Sequence, residues 1–112
     1  MNYIVLDTET TNGFDDPFCY DVGWAVLNEN FEVIETRSFV VADVFLDKEM
    51  MANAYFADKV PQYWKDIKNG TRELKTFRNI RKQLHDDCKN FGVGAIIAHN
   101  ARFDYRSCQR TQ

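Results

Sequence analysis

The chain has 112 residues, 45% of them hydrophobic and 14% aromatic, which is enough apolar material for one modest domain with a single core. Its formal net charge of -3 excludes the broad basic surface that coats nucleic acid by charge alone. An enzyme that handles nucleic acid through metal ions stays open. The three cysteines (Cys19, Cys88 and Cys108) are far apart and odd in number, so they read as reduced thiols, neither a disulfide framework nor a zinc site. No stretch approaches the roughly 20 apolar residues of a membrane span, and the N-terminus shows no signal-type segment. The expectation is a cytoplasmic protein with no membrane contact.

The first apolar run, Tyr3-Ile4-Val5-Leu6, reads as a strand that ends in the turn-forming Thr10-Thr11-Asn12-Gly13. Residues i and i+2 on a strand share a side, so Asp7 and Glu9 present two carboxylates on one face where the backbone leaves the sheet. Two like charges that close need neutralising, and hard divalent cations such as Mg²⁺ take such oxygen ligands. An isolated Asp-x-Glu is otherwise two solvated acids in a surface loop.

After a loop at residues 14–17, Tyr20, Val22, Trp24 and Val26 alternate onto one face of a second strand. Asn28-Glu29-Asn30 makes a short connection whose asparagines tolerate left-handed backbone, and residues 31–41 read as a third strand. Together these form an antiparallel meander. Residues 43–55 carry helix formers without clear bounds. Asp58 is a candidate N-cap for a helix with Pro61 in its first turn and Val60, Trp64 and Ile67 at helical spacing, stopped by Asn69-Gly70. Thr71 is the next N-cap candidate, leading into a stripe of Leu74, Phe77, Ile80, Leu84, Cys88 and Phe91 that marks an amphipathic helix. The apolar run at residues 94–98 suits a buried parallel strand. Asn100 then caps a last helix bearing Asp104, which starts where α/β sheets commonly gather ligands. On its own, an acid there is explained by the helix dipole.

Taken together, Val5-Leu6-Asp7-Thr8-Glu9-Thr10-Thr11 and Ala98-His99-Asn100-Ala101-Arg102-Phe103-Asp104 resemble the first two motifs of the DEDD (DnaQ-like) 3′–5′ exonucleases, the family typified by the proofreading epsilon subunit of bacterial DNA polymerase III. The strand containing Gly23 sits where that family has its second strand, and residues 50–72 are similar to phage-encoded members. The resemblance implies an α/β, ribonuclease-H-like mixed sheet and metal-dependent hydrolysis at a nucleic-acid 3′ end, single-stranded DNA or RNA. It implies Mg²⁺ or Mn²⁺ in a two-metal site, with Asp7 bridging, Glu9 on the nucleophile-side metal and Asp104 on the other. Thr8, Thr10, Asn100 and Phe103 carry over as neighbours of the terminal nucleotide, although Phe103 reads better as a core residue than as one that stacks on a base.

The family's third motif supplies a fourth carboxylate and a histidine or tyrosine base, on a helix after a further strand. This chain ends at Gln112, and neither His85 nor His99 fills that role. The expectation is a domain, residues 1–112, that lacks its C-terminal strand and helix. Losing the base alone removes about 10² to 10⁴ in rate, so little or no nuclease activity is expected. The uncovered edge invites a homodimer, a domain swap or a polymerase or replication partner. The alternative is a non-catalytic module of the same fold that binds nucleic acid or a polymerase; a third reading is a structural domain with vestigial acids. Arg102, Arg106 and Arg110 read as a solvated stripe, and Tyr55, Phe56, Tyr63 and Trp64 as core.

Overall fold

The alternation that opens the chain forms β1 (Asn2–Asn12), with Ile4, Leu6 and Thr8 turned to one face and Val5, Asp7 and Glu9 to the other. The structure, a computed structural model, describes residues 1–12, 16–48, 51 and 59–98. β2 (Asp16–Leu27) and β3 (Val33–Val41) follow as the expected meander, each antiparallel to the strand before it. Their hairpin is held by Asn28, whose Oδ1 accepts from the backbone N–H groups of Asn30 and Glu32 at 2.9 and 3.0 Å. The left-handed residue of this hairpin is Phe31 (φ 61°), not an asparagine. As a result β3 begins at Val33, two residues later than the sequence reading has it.

α1 (Ala42–Phe45) is a four-residue helix that buries Val44 and Phe45. Tyr55, Phe56 and the proposed cap Asp58 lie outside the described residues. α2 (Val60–Asn69) has Lys59 at its N-cap and Pro61 in its first turn, and it ends at Gly70 in the left-handed conformation (φ 81°). Its buried residue is Tyr63, whereas Trp64 is 46% exposed. That corrects Trp64 alone, since Val60 and Ile67 pack against the core at the expected spacing. The helix turns toward Tyr63 because its ring packs on Tyr20 and Phe45 and its hydroxyl finds a carboxylate.

A second correction follows. Residues 73–75 are not helical but form β4 (Glu73–Lys75), parallel to β3. Thr71 caps nothing downstream; its hydroxyl donates back to the Asp66 carbonyl at 3.1 Å. The true N-cap is Thr76, whose Oγ1 accepts from the Asn79 amide, and Asp43 accepts from the Phe77 amide at 2.8 Å. α3 (Phe77–Asn90) then crosses to β5 (Val93–Ala98), parallel to β1 as expected. The sheet order is β4-β3-β2-β1-β5, mixed parallel and antiparallel. β5 is less buried than its composition predicts: Ile96 and Ile97 are 48% and 49% exposed, and among the described residues no strand pairs with its outer edge.

The main core lies between α3 and the face bearing Ile4, Val22, Trp24, Val26 and Phe39, sealed by Phe77 and Ile80. A charge is buried there. Asp87, only 1% exposed, accepts from Trp24 Nε1 (2.9 Å), Arg37 Nε and Nη2 (3.0 and 3.1 Å) and Gln83 Nε2 (2.9 Å). Burial pushes its carboxyl up, but the bonds from Arg37, Trp24 and Gln83 outweigh that and hold it below the usual carboxylate range. No helix among the described residues is long and apolar enough to cross a membrane.

Candidate functional site

The opposite face of the sheet carries the acids. Strand register sets two rows across β1, β2 and β3: Asp7–Gly23–Ser38, and beside it Glu9–Asp21–Val40. Residues in register on neighbouring strands share a face, so the pairing brings Asp7, Glu9 and Asp21 to one side. A cavity of about 340 Å³ opens over these rows, walled by Gln62, Tyr63 and Asp66 of α2, by its N-cap Lys59 and by Arg72.

The far wall is built from the α2 C-terminus. Gly70 in the left-handed region turns the chain so that the amides of Thr71 and Arg72 both donate to the Asp66 carbonyl, at 3.0 and 3.2 Å. The turn aims Arg72 across β3. Its Nη1 donates to Asp21 Oδ1 at 2.7 Å, its Nε lies 3.3 Å from Asp66 Oδ2, and its guanidinium carbon sits 4.6 Å from the Tyr63 ring centroid. Tyr63 donates its hydroxyl to Asp21 Oδ2 at 2.8 Å. Burial raises the Asp21 carboxyl above its usual range, Asp7 adds to the rise, and Arg72 and Tyr63 oppose it. Burial and the Asp21 charge push the Tyr63 phenol well above its ordinary value.

Of the residues expected from sequence, Asp7 is exposed and Glu9 half-buried, both lining the cavity. Thr8 borders it although alternation turns its side chain to the core face, where it is 8% exposed; Thr10, past a register shift in β1, is 7% exposed. Asp104, Asn100, Phe103 and His99 lie outside the described residues. His85 is exposed on α3, as expected. Asp21 and Arg72 were missed. The signal for Asp21 was present, a lone acid in an apolar strand on the same parity as Gly23, but its meaning depends on a register that sequence does not supply.

Among the described residues no group of three or more His, Cys, Asp or Glu side chains could hold a metal ion. Asp7 and Glu9 fit a hard cation as half of a donor set, with carboxylate oxygens on one face. Asp21 is already engaged by Tyr63 and Arg72. Four carboxylates against two cations leave the cavity formally negative.

No family model matches the sequence, and no curated protein matches it. The fold is similar to the crystallographic structure of the nuclease domain of 3'hExo, a DEDDh family member, bound to rAMP. The TM-score is 0.61 at 15% sequence identity, over 96% of this chain and 58% of that one. This chain thus spans 58% of the length of the structure it matches. The likeness is one of fold: an α/β, mixed five-stranded sheet with helices, as in a ribonuclease-H-like exonuclease domain.

Proposed function

We propose that the chain is part of a metal-dependent 3′–5′ exonuclease acting on nucleic-acid 3′ ends, single-stranded DNA in the first instance. The observation that carries this reading is the pair Asp7 and Glu9, on one strand face at the mouth of a cavity, in a fold shared with a DEDDh nuclease domain. The cavity's negative charge supports a cation requirement, because a phosphodiester meets net repulsion there unless divalent ions accompany it. Asp7 and Glu9 would hold Mg²⁺ or Mn²⁺, with Asp104 completing the set from the following segment. When bound, such ions polarise a phosphoryl oxygen and lower the pKa of a water. The residues themselves orient the 3′ end against the sheet, with Tyr63 and Arg72 as a preformed wall.

The same reading makes a polymerase or replication factor a reasonable partner. A 5′-labelled single strand tests it, by measuring 3′-end binding and trimming with and without Mn²⁺. Mn²⁺-dependent binding that Asp7→Asn abolishes is expected. Metal-independent binding, or brisk trimming unaffected by Asp7→Ala, contradicts it.

A further inference from the structure

Gly23 sits in the interior of β2, where glycine weakens a strand and often marks a place where something approaches the backbone closely. Its φ is not in the left-handed region, so conformation does not demand glycine. Packing does not demand it either. Among the described residues, a β-carbon there would meet a single atom within 4 Å, the Arg37 carbonyl oxygen at 3.4 Å, an ordinary contact. What the absent side chain does create is open floor. Gly23 lies in register between Asp7 and Ser38, and all three line the cavity. From Asp7 to Ser38 is two strand spacings, about 10 Å. Over that distance the floor offers only bare backbone and one small hydroxyl. The walls on either side, by contrast, are mostly charged or aromatic.

We infer that Gly23 is a specificity-determining residue: its bare backbone, with Ser38 beside it, seats the sugar of the terminal nucleotide whose phosphate is held at Asp7 and Glu9. This rests on the proposed function. A side chain at position 23 rises into the seat from below and excludes the sugar, while leaving the carboxylates of β1 in place. The fold tolerates it, because β-branched residues favour strands and glycine does not.

Nucleotide binding should therefore fall while metal binding and stability hold, a separation that a purely structural glycine would not produce. The probe is deoxyadenosine 5′-monophosphate with Mn²⁺, followed by calorimetry on the 112-residue chain. Gly23→Ala should weaken nucleotide binding and Gly23→Val should weaken it further, by about tenfold or more, as overfilling a site does. Both variants should keep Mn²⁺ binding and melt no lower than the parent. Ala25→Val, on the same face two residues away and outside the cavity, should leave nucleotide binding unchanged. Gly23→Val that binds the nucleotide like the parent overturns the inference alone. So does loss of nucleotide binding together with Mn²⁺ binding or the melting transition. A parent chain that binds no nucleotide with Mn²⁺ present overturns the proposed function, and the seat with it.

Discussion

Tyr63 donates its hydroxyl to Asp21 at 2.8 Å, joining α2 to the strand opposite Glu9. Asp21 is 8% exposed and takes Arg72 on its other oxygen, so one carboxylate pins both the helix and the turn after it to the acid-bearing face. Removing the hydroxyl alone leaves a buried carboxylate one donor short. Tyr63→Phe should cost about 1–3 kcal/mol, read from the denaturant midpoint, with the slope unchanged.

Arg72 bridges Asp21 and Asp66, and it is itself partly exposed. Arg72→Ala strips the cation from Asp21 and should cost about 2 kcal/mol, below the roughly 3–5 kcal/mol of breaking a fully buried pair because solvent reaches the guanidinium. Asp21→Asn in the same chain should recover part of that loss. A double-mutant cycle measures the coupling, and strict additivity would show that the pair is not linked.

Asp87 governs the acid limb of stability. Its carboxyl is held below its ordinary value in the folded chain, so it contributes stability that is fully present above the unfolded value of 3.8. That contribution is lost as pH falls through the lower folded value. Asp87→Asn should therefore cost about 2–3 kcal/mol at neutral pH, because Arg37 loses its charged acceptor, and should flatten the decline below pH 4. Chemical denaturation of both chains between pH 3 and 7 checks the sign.

Thr76 caps α3 through the Asn79 amide at 3.3 Å. Thr76→Ala should cost about 1 kcal/mol, whereas Thr71→Ala, at the position the sequence pattern favoured, should cost less because Thr71 caps no helix. Equal losses would argue that the helix begins earlier than Phe77.

The meander, the parallel β5 and the long α3 were legible from the sequence because each rests on a local period: alternation in β2, helical spacing from Phe77 to Cys88, an unbroken apolar run at residues 94–98. The Asp7 and Glu9 pairing on one face was legible for the same reason. β4 was hidden because Leu74 falls three residues before Phe77, so a strand residue mimicked the helical stripe. Trp64 was expected inside on size and spacing, but Tyr63 carries a hydroxyl that Asp21 accepts, and the helix rotates to it. Asp21, Gly23 and Ser38 became a site only through cross-strand register, a long-range property that no window of sequence contains.

A Mn²⁺ titration of the 112-residue chain, followed by electron paramagnetic resonance in parallel with Asp7→Asn and Glu9→Gln, probes the carboxylate pair itself. Saturable binding by the parent, weakened in both variants while their folded spectra stay unchanged, is the outcome expected of a divalent-cation site on β1. Binding that is absent in the parent, or equal in all three chains, would contradict it.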